Sequence, residues 1–301
     1  MMKPDVAITH PDRVLFPASA THAALTKGDL VDYYREIAPV MVPHLDGRPL
    51  TLTRFPGSIE EEGFIQQNFA MSLPDWMDRA EVARKSGTGT VVHPVVRRRE
   101  ALVWAANQDC VTLHSWLSRN RHLNTPIRLV FDLDPAGDDF AVLRDTAKAV
   151  ADVLRESELT PYVQTTGSRG LHVVAPVRGN ADFDTAREFA RAVARAVVDD
   201  DPAHRTSEIR KSGRGGRVYV DIMRNAYGQK AVAPYSVRAR PGAPVATPLA
   251  WDELDERGMR SDLFTLRDVC KRMAERDDPW SGMGRHAHSL ARAMRRLGQD
   301  R

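Results

Sequence analysis

Leu129-Val130-Phe131-Asp132-Leu133-Asp134-Pro135 is an apolar run broken by two carboxylates two positions apart. In a β-strand, residues i and i+2 point to the same face. Asp132 and Asp134 then stand side by side, while Phe131 and Leu133 pack into the layer behind them. Neighbouring anions repel each other and resist burial unless a cation neutralises them. Hard carboxylate oxygens suit Mg²⁺ or Mn²⁺, cations that also bind substrate phosphates. A third acid, Asp221, stands alone in the apolar run Val218-Tyr219-Val220-Asp221-Ile222-Met223. If this strand lies beside the first, three aspartates converge in a set able to hold two metals, one acting on an attacking 3′-hydroxyl and one on a nucleoside triphosphate. The alternative is a strand-end cluster that caps turns or pairs with Arg128 and Arg224, and the spacing alone leaves both readings open.

Between these runs lies Thr165-Thr166-Gly167-Ser168-Arg169-Gly170-Leu171-His172. Its glycines permit close backbone approach, Ser168 and Arg169 offer donors to a phosphate, and His172 offers one to a phosphate or sugar hydroxyl. Taken alone it is equally an ordinary hairpin turn. Beside paired aspartates it reads as a triphosphate cradle.

Working outward, strand patterns at 128–134, 162–166 and 171–177 alternate with helical patterns, one at 139–158 and a second that follows the last of these strands. Further strands are expected at 217–223 and 231–237. In the second helix Ala186, Phe189, Ala190, Val193, Ala194 and Val197 form the apolar face, leaving Arg187, Arg191 and Arg195 on the solvated side. Upstream, Thr26 caps a helix over 27–41 that Pro39 and Pro43 end, and residues 50–55 alternate as a half-buried strand before the turn Pro56-Gly57. From residue 262 the chain reads as mostly helical. The class is α+β, a mixed α/β fold whose central sheet carries the acidic residues and is flanked by helices. No internal repeat or heptad array appears.

The chain has 301 residues, enough to bury a sizeable core. Its two cysteines, Cys110 and Cys270, are too few for a disulfide scaffold and suit a reducing cytoplasm. With neither a signal-peptide core nor a membrane-length apolar run, a soluble, cytoplasmic protein with no membrane partner is expected. The net charge of +3 decides nothing about a nucleic-acid partner, but its distribution is uneven. Nine basic residues fall between Arg205 and Arg240 against Glu208 and Asp221, and Arg84, Lys85, Arg97, Arg98 and Arg99 form a second cluster. All but seven of the 43 basic residues are arginine, which suits bidentate phosphate contacts and fits a GC-rich genome equally well.

Three ordered motifs, Phe131-Asp132-Leu133-Asp134-Pro135, then Thr166-Gly167-Ser168-Arg169-Gly170-Leu171-His172, then Asp221-Ile222-Met223-Arg224-Asn225, closely resemble the archaeo-eukaryotic primase superfamily. Within it the match is to the polymerase domain of bacterial DNA ligase D and to related stand-alone primase-polymerases. It runs from Thr9-His10-Pro11-Asp12-Arg13-Val14-Leu15-Phe16-Pro17 to Pro248-Leu249-Ala250-Trp251-Asp252-Glu253-Leu254. The resemblance implies one primase-polymerase domain over 1–301, with a DNA-end-binding part at about 1–125, the catalytic sheet at about 126–260 and a helical part at about 261–301. It implies a nucleotidyltransferase with a two-metal Mn²⁺ or Mg²⁺ site that extends 3′ ends at gaps or double-strand breaks during non-homologous end joining, and it leans toward ribonucleotides.

Residue by residue, Asp132, Asp134 and Asp221 match the family's metal-binding triad. Ser168 and His172 match the triphosphate turn, to which Arg169 adds charge, and His114 matches a histidine near the incoming nucleotide, where a lone histidine would otherwise be structural. Arg224 and Arg238 match basic positions around the phosphates, with Lys230 a further candidate nearby. Arg13 and Lys27, otherwise simple surface residues, match the positions that hold the 5′-phosphate, and Arg54 and Phe64 belong to the DNA-binding part. In Gly63-Phe64-Ile65-Gln66-Gln67-Asn68 this sequence departs from the family, because Ile65 and Gln67 stand where a second aromatic and a lysine are common. That weakens a stacking platform and removes a phosphate contact. Expected partners are gapped or broken DNA with a 5′-phosphate and nucleoside triphosphates, with Ku and an ATP-dependent DNA ligase supplied in trans. Competing readings are a metal-dependent nuclease or phosphatase, and a DNA-end-binding module without turnover.

Overall fold

Thr26 caps the first long helix: its hydroxyl accepts from the Asp29 N–H while the Asp29 carboxylate accepts from the Thr26 N–H. The helix runs Lys27–Leu45, past both prolines expected to end it. Pro39 and Pro43 lie four residues apart on the exposed side of the helix. The inner face buries Leu30, Tyr33, Tyr34, Ile37 and Met41, and that packing carries the helix through.

The structure is a computed structural model describing residues 6–84, 88–137 and 139–299, so Lys85 of the second basic cluster lies outside the described residues. The chain divides into two compact units, residues 1–121, 232–247 and 264–277, and residues 122–231, 248–263 and 278–301. In the first unit Leu50–Arg54 is flanked by antiparallel strands Phe64–Gln66 and Cys110–Trp116, and the buried face of the Lys27–Leu45 helix contributes to its core.

The second unit is a six-stranded sheet in the order Arg205–Thr206, Val218–Asp221, Arg128–Asp134, Leu171–Pro176, Tyr162–Thr165, Pro248–Leu249. All pairings are antiparallel except the first. Helices Phe140–Glu156 and Phe183–Asp200 supply its apolar cover, with Leu143, Ala147, Val150, Phe189, Val193 and Val197 fully inside. Phe131 and Leu133 are wholly buried, as the alternation requires. This is the mixed α+β architecture read from the sequence.

Two strands are shorter than their apolar runs. The run at 217–223 stops pairing at Asp221, because Ile222 leaves the extended region (φ −105°, ψ 2°) and Met223–Asn225 forms a 3₁₀ turn. Of 231–237 only the start belongs to a strand, Lys230–Val232, because Tyr235 adopts a left-handed φ of 65° and Ser236 closes a turn on Ala233. The C-terminal part is helical in segments, Leu266–Glu275 and Leu290–Gln299. No helix among the described residues is long and apolar enough to cross a membrane.

Candidate active site

Register makes the site. Asp132 lies opposite Asp221 on one side and His172 on the other, and His172 lies opposite Gln164. Residues directly opposite share a face, so Gln164, His172, Asp132 and Asp221 form a row across four strands. Asp134, two residues on, joins the same face opposite Tyr219.

Asp132 is gripped from both sides. His172 Nε2 is 3.3 Å from one carboxylate oxygen, and Arg224 reaches the other with Nε and Nη2, both at 3.1 Å. An Nε2–H tautomer satisfies the histidine, since Gln164 Nε2 donates to Nδ1 at 3.2 Å and Nε2–H donates to Asp132. Burial pushes the Asp132 carboxyl up, but His172 and Arg224 outweigh it and hold the group down at about 2. Asp134 moves the other way. Burial and the charge of Asp132, with Asp221 adding, raise it above the usual carboxylate range against the pull of Arg214 and Arg224.

Arg224 is placed by its neighbour. Asn225, fully buried, accepts from the Val130 N–H at 2.9 Å and donates to the Val130 carbonyl at 2.7 Å, pinning the 3₁₀ turn to the Asp132 strand. Asp221 accepts from the Met223 N–H at 2.7 Å, which closes the same turn. Lys230 is pulled below the usual lysine range by burial and by the charge of Arg224.

The turn at 166–170 is a hairpin connection locked by Thr166, whose hydroxyl both donates to the Gly170 carbonyl and accepts the Gly170 N–H. Gly167 takes φ 63°, and a Cβ on Gly170 would lie 2.3 Å from the Leu133 carbonyl oxygen. The two glycines therefore serve a left-handed corner and a close approach to the Asp132–Asp134 strand. Ser168 and Arg169 line a cleft with Arg260, Asp139 and Asp262, and Ser261 donates to the Arg169 carbonyl.

His114 and Arg238 belong to the first unit, His114 on the strand Cys110–Trp116 opposite Thr51. Also in that unit, Arg54 and Phe64 are cross-strand partners, with the guanidinium 5.4 Å from the ring centroid of the half-exposed Phe64. Arg13 and Lys27 converge on Asp109, Arg13 in a short ion pair and Lys27 Nζ at 3.1 Å. The Lys27 side chain is only 3% exposed, which departs from the surface position the sequence left open.

Sequence reasoning passed over Gln164, Arg214 and Asn225. Arg214 stacks 3.9 Å from the Tyr219 ring and draws on Asp134 electrostatically, and its signal was the basic stretch 205–240. Gln164 and Asn225 act through register and carried no signal of their own.

The donor chemistry fits a hard divalent cation, since three carboxylates share one face and Asp134 is raised by burial and by the charges of Asp132 and Asp221. Asp132 is engaged by His172 and Arg224, and among the described residues no group of three or more His, Cys, Asp or Glu side chains is gathered closely enough to hold a metal ion.

The model of the LigD primase-polymerase domain matches residues 26–280. The multifunctional non-homologous end joining protein LigD of Mycolicibacterium smegmatis is 37% identical over 91% of this chain and 35% of its own length. That of Pseudomonas aeruginosa is 29% identical over 97% of this chain and 34% of its own. The chain thus spans about a third of the length of these curated relatives. Among solved structures, the polymerase domain from Mycobacterium tuberculosis ligase D in complex with DNA superposes with a TM-score of 0.86 at 34% identity, covering 95% of this chain and all of that one. The sequence motifs, the aspartate row and these matches agree: the chain belongs to the LigD primase-polymerase domain family and is a nucleotidyltransferase of the primase-polymerase type.

Proposed function

We propose that this chain extends 3′ ends of DNA at gaps or double-strand breaks in non-homologous end joining, with ribonucleoside triphosphates preferred. The single observation that carries the reading is the cross-strand row of Asp132 and Asp221, with Asp134 on the same face and Arg224, Arg214 and Lys230 around it. It is an anionic patch bounded by cations, suited to a metal-bound polyphosphate. Asp132, Asp134 and Asp221 would hold Mg²⁺ or Mn²⁺. When bound, the metal lowers the pKa of a 3′-hydroxyl and neutralises phosphate charge.

This chain's own groups supply position and charge. His172, backed by Gln164, fixes one oxygen of Asp132, and Arg224 fixes the other. Ser168 and Arg169 face the cleft as donors to phosphate oxygens, and Lys230 adds a positive charge within electrostatic reach of Arg224. Arg13 and Lys27 are read as the 5′-phosphate contacts, with Arg54 and Phe64 as DNA contacts, and Ku and an ATP-dependent DNA ligase are the protein partners expected.

The test is primer extension on gapped DNA with each nucleotide type and with Mg²⁺ or Mn²⁺. Ribonucleotides are expected to be incorporated more efficiently opposite a given template base. Equal efficiencies refute the sugar preference, and strand cleavage without extension in every combination refutes the polymerase reading in favour of a hydrolase.

A further inference from the structure

The helix Arg99–Asn107 ends in a turn that places Asp109 at φ 62°, its N–H bonded to the Ala106 carbonyl. That left-handed position just past a helix is where glycine is the default, because a side chain there is strained. Here it carries a carboxylate, and the carboxylate sits between two cations from elsewhere in the same unit. It accepts from Arg13 Nη2 and lies 3.1 Å from Lys27 Nζ, which also donates to Thr9 Oγ1 at 3.2 Å. The backbone around it is tied down as well, since the Asp109 carbonyl accepts the Phe55 N–H and the Gln108 carbonyl accepts Arg54 Nε.

The trio carries a net single positive charge, and Arg13 Nε remains a buried donor with no acceptor. One carboxylate therefore occupies a place between cations that still have donor capacity to spare. A terminal phosphate brings more charge and more acceptor oxygens than a carboxylate and makes charge-assisted hydrogen bonds to such groups. Unlike an incoming phosphate, however, Asp109 is already there, and it repels any anion that approaches.

We propose that Asp109 is a built-in competitor for the 5′-phosphate: it holds Arg13 and Lys27 in the DNA-free chain and sets how strongly a phosphorylated end is preferred. This rests on the reading of Arg13 and Lys27 given above. Asp109→Asn keeps the shape and tolerates a left-handed φ, and Asp109→Gly relaxes the backbone, so both variants suit the turn.

The experiment measures affinity for gapped DNA with and without a 5′-phosphate, and takes the ratio for wild type, D109N, D109G and the Arg13→Ala/Lys27→Ala double variant. Both Asp109 variants are expected to raise the ratio roughly fivefold or more, the worth of about one ordinary net hydrogen bond. An unchanged or lower ratio in D109N overturns the proposal and makes Asp109 an organiser of the cations. A rise in D109G alone also overturns it, because the effect would then be the backbone's. The double variant tests the underlying reading separately: if wild type prefers the phosphate and the double variant keeps that preference, Arg13 and Lys27 are not its contacts.

Discussion

Replacing Asp134 by asparagine separates what this side chain does for the fold from what it does for chemistry. Its carboxyl is raised by burial and by Asp132, so the folded chain holds the proton more tightly than the unfolded chain does. A raised carboxyl pKa means that its contribution to stability falls as pH rises through that pKa, and that at neutral pH the ionised group is a burden. Two strand positions put Asp132 and Asp134 about 6.6 Å apart. Unit charges at that separation repel by about 0.6 kcal/mol in a water-like dielectric and about 2.5 kcal/mol at an effective value of 20. Asp134 is partly exposed, and Arg214 and Arg224 oppose the repulsion, so a gain of about 1 kcal/mol is expected for Asp134→Asn. For a chain of this size that is a rise of about 2 °C in Tm. The assay is thermal melting at pH 7.5 in chelator and again with Mn²⁺ or Mg²⁺, beside primer extension. The variant should melt higher than wild type in chelator, lose most of the metal-induced rise that wild type shows, and fail to extend primers. Its advantage should shrink toward pH 4 as the wild-type carboxyl takes up a proton. A variant that melts lower than wild type in chelator would refute the argument, because Asp134 would then be held by favourable contacts rather than crowded by its neighbours.

Asp132 should show the opposite pH dependence. Its carboxyl is held at about 2, so its stabilising contribution is complete above the unfolded value and lost as pH falls toward 2; Asp132→Asn should flatten that acid limb in urea melts at pH 3 and 5 and should abolish extension. Asn225→Ala strands a buried N–H and a buried carbonyl of Val130, so denaturant melts should show a loss of about 2 kcal/mol or more, with extension falling as Arg224 loses its anchor. Gly170→Ala drives a Cβ into the Leu133 carbonyl; a loss of about 1 to 3 kcal/mol and a rise in KM for the triphosphate are expected, and a neutral melt would show that the hairpin yields more easily than its geometry indicates.

Much of the candidate site was legible in the sequence because local rules wrote it. Two aspartates spaced by two in an apolar run have to share a face once the run is a strand, whatever surrounds them. Thr166 to Gly170 reads as a turn, because glycine takes φ 63° at 167 at no steric cost and at 170 leaves room where a Cβ would lie 2.3 Å from the Leu133 carbonyl oxygen. Helices were recognised from the period of their apolar positions, and the Lys27–Leu45 helix overran its expected end because propensity at two exposed prolines is weaker than a buried face.

Other features depend on which strand pairs with which, and no local pattern encodes that. Opposition of Asp132 to both His172 and Asp221 is a matter of register between segments 40 and 89 residues apart, and it sets His172, an expected donor to a phosphate or sugar hydroxyl, against a carboxylate. The same holds for Asn225, which reads as a polar loop residue until the Asp132 strand lies beside it. Asp109, Arg13 and Lys27 come from three separate stretches, and only their convergence shows that a buried lysine and a half-exposed arginine share one anion. Periodicity follows from the geometry of one element, and the sequence alone determined it; opposition follows from the packing of many, and only the tertiary structure decided it.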